Sequence, residues 1–146
     1  RALWRARHDA YHAVRATHPG RRVLTTDACV PISRLAEVVV ETRRDLDEHG
    51  LTGAIVGHVG DGNFHVSLLL DVDDGDEVAR GMAFHDRLVR RAIEAGGTCT
   101  GEHGVGYGKA PYLALEHGEA GVAWMRAIKR ALDPDDLFNP GKIIDG

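Results

Sequence analysis

Two histidines seven residues apart flank a glycine-rich turn in "GHVGDGNFH", residues 57–65. Imidazole nitrogens bind divalent cations and accept protons near neutral pH, so the spacing decides whether His58 and His65 can act together. Read as a hairpin with Gly60–Asn63 as a four-residue loop, the stretch pairs Val59 with Phe64 and sets His58 directly opposite His65. Directly opposed residues have Cβ atoms about 4.5–5.5 Å apart on one sheet face. Two rings at that separation can share a cation through Zn–N bonds of about 2.0–2.1 Å. One extra loop residue would turn one ring to the other face. The plainer alternative is a polar cross-strand pair on a solvated sheet, which nine histidines in 146 residues make more common by chance.

A second stretch, "CTGEHGVGYGK" (99–109), sets Glu102 and His103 side by side among glycines at 101, 104, 106 and 108. Glycines at that density let backbone approach a ligand closely. The loop is not a Walker A loop: counting back from Gly108-Lys109, the first required glycine falls on His103, and Ala110 replaces the required Ser or Thr. Nor is it a dinucleotide fingerprint, because it follows the last strand and lacks the GxGxxG register. Two histidines and one carboxylate, with room for substrate, make the composition of an open catalytic site rather than a closed structural one. Taken alone, Glu102-His103 reads equally well as a polar loop without a role.

The elements that must hold these residues can be read from periodicity. A helix runs through Leu3, Trp4, Tyr11 and Val14 and ends at Pro19-Gly20. Residues 22–29 form a strand, and Pro31 opens a helix with Ile32, Leu35, Val38, Val39 and Leu46 at helical spacing, stopped by Gly50. "TGAIVGHV" and "FHVSLLLDV" are strands. A helix over 76–95 keeps Val78, Met82, Leu88, Val89 and Ile93 inside, "TCTG" is a last short strand, and helical pieces follow at 110–117 and 119–132. Trp4 and Trp124 read most simply as core. The order strand, helix, strand, strand, helix, strand predicts an α+β domain: a ferredoxin-like split βαβ antiparallel sheet with helices on one face, plus C-terminal helices. In that order the strand ending near Thr100 lies beside the hairpin and brings Glu102 to the same end of the sheet.

Composition narrows the functional classes. A chain of 146 residues supports one domain with a real core. A net charge of -4 gives no electrostatic case for nucleic acid, and 5% aromatics leave little for base stacking. No apolar run approaches the ~20 residues of a membrane span, and no stretch reads as a signal peptide. The expected location is therefore cytoplasmic, the membrane periphery included. Cys29 and Cys99 fit neither a disulfide framework nor a zinc ribbon. The chain opens on Arg1 within a helical pattern, so it is expected to be part of something longer.

Together "TDACVPISRL", "GLTGAIVGHVGDGNFHVSLL", "GTCTGEHGVGYGK" and "LDPDDLFNPGKI" resemble the C-terminal region of FAD-linked oxidases. Within that family the resemblance is to flavin-dependent, cytochrome-linked D-lactate dehydrogenases, with D-2-hydroxyglutarate dehydrogenases and the glycolate oxidase flavin subunit as near relatives. GHxGDGNxH followed by GEHGxG is highly specific as a combination. The resemblance implies that residues 1–146 are the C-terminal substrate (cap) domain, with the N-terminal FAD-binding domain outside this chain. It implies that His58, His65 and Glu102 bind a divalent metal, zinc or manganese, and that His103 removes the substrate hydroxyl proton. It implies that Arg7 holds the substrate carboxylate and that Asn139 lies near the flavin. The substrate would be a small 2-hydroxy acid, and a cytochrome, quinone or electron-transfer flavoprotein would accept the electrons. The hydroxyglutarate branch has a lysine shortly before the Asp27 position and an asparagine where this chain has Ser67. Thr25, Thr26 and Ser67 therefore favour a monocarboxylate such as D-lactate.

Such an oxidation removes a hydroxyl proton and passes a hydride to the flavin, while the protein supplies orientation, a base and charge stabilisation. The isolated chain is expected to be inactive. The competing reading is a ferredoxin-like metal-binding or regulatory module without catalysis. An iron oxygenase fits the ligand set but not the fold. His8, His12, His18, His49, His85 and His117 read as solvated or packing residues, Cys99 as a small buried residue, and Asp61 and Asn63 as turn formers.

Overall fold

Strand β4 (Asn63–Leu70) is buried along nearly its whole length because it is paired on both edges and covered on both faces. In the computed structural model, residues 2–144 are described, with side chains from Asp9 onward. Around β4 stand α1 (Ala2–Thr17), β1 (Arg22–Thr25), β2 (Ala28–Cys29), α2 (Ile32–Glu48) and β3 (Gly53–His58). After it come α3 (Gly75–Glu94), a 3-10 turn (Ala110–Tyr112) and α4 (Leu113–Leu132).

On one edge β4 pairs antiparallel with β3, and on the other with β1 and β2. The pairings Thr25↔Ser67 and Ala28↔Phe64 belong to one continuous register. The predicted strand 22–29 is thus interrupted only at Thr26-Asp27. There the Thr26 hydroxyl, not a ladder carbonyl, accepts the Val66 N–H at 3.1 Å. The expected last strand, "TCTG", shrinks to a single bridge between Cys29 and Thr98. It lies outside β2, not beside the hairpin. Across the sheet the order is last, first, third, second, as in the split βαβ fold.

Alternation along β4 divides its duties. Phe64, Val66, Leu68 and Leu70, with Ala28 and the partly buried Leu24 and Ile55, pack against Leu35, Val38 and Leu46 of α2 and Phe84, Leu88 and Ala92 of α3. Met82, expected inside, is 53% exposed; α3 turns Phe84 and Leu88 inward instead. The two helices are tied by Asp45, which accepts from Arg87 and Arg91. Asp74 caps α3 by accepting from the Asp76 and Glu77 N–H groups.

The other face of β4 presents Asn63, His65 and Ser67, and α1 lies across part of it. Ala10, Tyr11 and Val14 of α1, with Thr25, Val56, His65, Ser67 and His103, enclose a cavity of 170 Å³. The two predicted C-terminal helical pieces meet at Gly118, whose φ of 72° kinks α4. Trp124 is not core: it is 72% exposed, on a helix face with Ile128 and Leu132. Among the described residues no helix is long and apolar enough to cross a membrane.

Candidate functional site

The β3–β4 hairpin closes on a different pair from the one expected. His58 pairs with Asn63 and Val56 with His65, so the loop is Val59–Gly62 and the two histidines are diagonal neighbours rather than opposed. The turn is set locally: the Asp61 N–H donates to the His58 carbonyl at 2.9 Å, and the Gly62 carbonyl accepts the Val30 N–H at 3.0 Å. Gly62 has a φ of +73°, and a Cβ there would sit 2.0 Å from the Val30 oxygen. The slip relative to expectation is two residues, and side chains alternate with period two, so both rings keep the same face. Their centroids are 5.6 Å apart and nearly perpendicular, at 85°.

Glu102 arrives from the loop after Thr98, and what brings it is Asp27. One Asp27 carboxylate oxygen, Oδ2, accepts from the Thr100 hydroxyl (3.2 Å) and from the N–H groups of Gly101 (2.8 Å), Glu102 (3.0 Å) and His103 (3.0 Å). Burial pushes the Asp27 carboxyl upward, but these backbone and hydroxyl donors outweigh it and hold the pKa below the ordinary value. The Asp27 carbonyl accepts from the buried Lys109 ammonium at 2.9 Å. Burial lowers the Lys109 pKa, against the partial support of Cys99 and Asp27. Sequence reasoning assigned Asp27 no role; the available signal was a lone carboxylate inside a β-branched strand pattern.

The result is a convergence on one oxygen. Glu102 Oε1 is 3.1 Å from His65 Nε2, 3.4 Å from His58 Nε2 and 4.0 Å from His103 Nε2. The rings of His65 and His103 stand 5.4 Å apart. Ligand atoms of His58, His65 and Glu102 all lie within 4.8 Å of one another. Two ligands on a tetrahedral zinc with bonds of about 2.0–2.1 Å would be about 3.3 Å apart, so the donor set and spacing are suited to such an ion. His65 is 13% exposed, whereas His103 is 63% exposed, so the cluster is anchored on the sheet and open toward the loop.

His103 and His65 also line the 170 Å³ cavity, with Thr25 and Ser67 across from them. Arg7 lies outside the residues whose side chains are described. Asn139 is exposed, with a φ of 50°, in the tail after α4. That tail is pinned to the second half of the glycine-rich loop: Ile143 N–H donates to the Gly106 carbonyl at 2.9 Å and the Tyr107 hydroxyl to Pro140 at 3.3 Å. Cys99 is 1% exposed, with its thiol pushed up to about 12 by burial and by the neighbouring Glu116 carboxylate, so it is no nucleophile.

Residues 1–143 match the family model described as "FAD linked oxidases, C-terminal domain". The chain is 52% identical over 143 residues to a protein of Danio rerio named "Probable D-lactate dehydrogenase, mitochondrial", covering 98% of this chain and 29% of that one. It is 45% identical to "D-lactate dehydrogenase [cytochrome] 1, mitochondrial" of Saccharomyces cerevisiae, over 97% of this chain and 24% of the relative. It is 38% identical to "Glycolate oxidase subunit GlcD" of Bacillus subtilis, over 97% and 30%. The chain thus spans under a third of the length of these relatives. A solved structure of 4-ethylphenol oxidase from Gulosibacter chungangensis superposes with a TM-score of 0.66 at 21% identity, over 98% of this chain and 30% of that one, a likeness of fold.

Proposed function

The chain belongs to the FAD-linked oxidases through their C-terminal domain, and from that premise we propose that it is the substrate domain of a flavin-dependent D-2-hydroxy-acid dehydrogenase. The substrate is a small monocarboxylate of the D-lactate kind, oxidised to the 2-oxo acid. The observation that carries the reading is the convergence of three imidazoles on Glu102, with two of them, His65 and His103, lining a small half-open cavity. That the base candidate His103 lines this cavity together with His65 of the cluster favours chemistry over a metal-holding module without it.

FAD, held mainly by an N-terminal domain, would supply the hydride acceptor, with a cytochrome, quinone or electron-transfer flavoprotein as the partner that receives the electrons. His58, His65 and Glu102 would hold a divalent ion, zinc or manganese, whose charge stabilises a developing alkoxide. His103, on the cavity wall and the most exposed of the three rings, accepts the hydroxyl proton. Arg7 clamps the carboxylate and thereby selects the face presented to the flavin. Tyr11, Val14 and Val56 give the cavity an apolar side that suits the substrate's small apolar end. Thr25 and Ser67 offer no cation for a second carboxylate. Asn139, in the tail pinned to the glycine-rich loop, would lie near the flavin.

Elemental mass spectrometry on untagged wild type and His65→Ala tests the reading. Near-stoichiometric zinc or manganese, lost in the variant, is expected. No metal in freshly purified protein and no uptake on titration would overturn it. The isolated chain is expected to give no lactate-dependent dye reduction.

A further inference from the structure

Asp27 has a second carboxylate oxygen with no partner. Oδ1 is buried and makes no hydrogen bond, and 3.5 Å away His65 Nδ1 is likewise buried and without one. Gly101 is packed against it: a Cβ on Gly101 would lie 2.5 Å from that oxygen and 2.1 Å from Asn63 Nδ2. The other face of the same imidazole, Nε2, points at Glu102 Oε1. A neutral imidazole carries one ring proton, so two carboxylates compete for it from opposite sides. If the proton sits on Nε2, it donates to Glu102 and the ring has no lone pair to offer the cluster. If it sits on Nδ1, Nε2 is free as a ligand. Glu102 is 51% exposed and can be hydrated, whereas Asp27 Oδ1 is buried and faces His65 Nδ1 at 3.5 Å. The buried acceptor has more to gain.

We propose that Asp27 is the positioning residue for His65, accepting a hydrogen bond from the Nδ1–H at Oδ1 while Oδ2 gathers the Glu102 loop. The one carboxylate therefore does two things for the cluster: it sets the His65 tautomer and it brings in Glu102. This rests on the metal-site reading above, since a tautomer with Nε2 free matters only if Nε2 is a ligand. Carboxylates that orient a metal-bound histidine in this way typically alter affinity 10–100-fold when changed.

The test is long-range proton–nitrogen NMR of the histidine rings in zinc-free protein at mildly alkaline pH, followed by zinc titration against a competing chelator. Wild type is expected to show His65 protonated at Nδ1 and unprotonated at Nε2. Asp27→Asn keeps an oxygen for the loop N–H groups but turns an amide toward Nδ1; it is expected to move the proton to Nε2 and weaken zinc binding about 10–100-fold. Thr100→Val, which removes one donor to Oδ2 only, is expected to leave the tautomer unchanged. A wild-type ring protonated at Nε2, or an Asp27→Asn protein that binds zinc as tightly as wild type, would overturn the proposal. The wild-type tautomer decides the matter even if the variant fails to fold. Wild type that takes up no zinc yet carries the Nδ1 proton would instead refute the metal reading and leave the Asp27–His65 pairing standing.

Discussion

Gly101 lies so close to Asn63 that a methyl group on its α-carbon would sit 2.1 Å from the Asn63 Nδ2 nitrogen and 2.5 Å from Asp27 Oδ1. Both neighbours are buried, so neither can step aside into solvent. Gly101→Ala is therefore expected to lift the loop off Asp27 and carry Glu102 away, costing at least about tenfold in zinc affinity. Gly108→Ala, in the same loop with open space around it, is expected to bind as wild type. Chelator competition on both variants checks this; equal affinities would show that the loop is not held by this contact.

Asp45 joins α2 to α3. Its side chain is 5% exposed and accepts from Arg87 at 2.6 Å and Arg91 at 2.7 Å. Asp45→Ala is expected to destabilise the domain by about 2 kcal/mol, below the range for a fully buried pair because the arginines can recover water. Burial raises the Asp45 pKa, but hydrogen bonds and charge from the two arginines hold it below the ordinary 3.8. A folded value below the unfolded one means stabilisation that is complete above 3.8 and lost as pH falls through the folded value. Denaturant melts at neutral and acid pH should therefore show wild type and variant converging in acid. A gap that persists in strong acid would refute the ionic origin.

Asp74 Oδ1 accepts from the N–H groups of Asp76 (2.9 Å) and Glu77 (3.0 Å) at the start of α3. Asp74→Ala is expected to cost about 1 kcal/mol, a fall in melting temperature of about 3 °C for a domain of this size. Asp74→Asn should recover most of it. Thermal melts of the three proteins decide the point.

Cys99 is held protonated by burial and by Glu116, with a pKa of about 12. Iodoacetamide at mildly alkaline pH is expected to leave Cys99 unmodified in the folded protein and to label it fully in denaturant. Peptide mapping by mass spectrometry reads the outcome; rapid native labelling of Cys99 would mean that its packing against Val89, Ile93 and Tyr112 opens readily.

Periodicity made the helices and both long strands legible, because glycine and proline stops fall where the chain turns. The face of the two histidines was legible too, since parity survives a two-residue slip. Their pairing was not: it depends on the Gly62 carbonyl meeting Val30, a contact between segments some thirty residues apart in the sequence. Asp27 was invisible as an organiser because its partners, Thr100 to His103, are more than seventy positions away. The last strand dissolved because its backbone donors beyond Thr98 go to side chains instead of a ladder: the Cys99 N–H to Glu116, the Thr100 N–H to the Thr98 hydroxyl and the Gly101 N–H to Asp27. Trp124 misled because a large apolar side chain says nothing about whether its helix face finds a neighbour.

Strand β4 is hydrogen-bonded along both edges, so its amides can exchange with solvent only when most of the sheet lets go. The stretch from Thr100 to His103, which bears Glu102, is gathered by one carboxylate oxygen of Asp27. The cluster therefore joins a ligand held in the sheet to one held by loop contacts, and His65 is expected to keep its place through local openings that displace Glu102. Loss and recapture of the carboxylate need not disturb the hydrophobic interior, and half of the binding geometry remains standing while the other half is away.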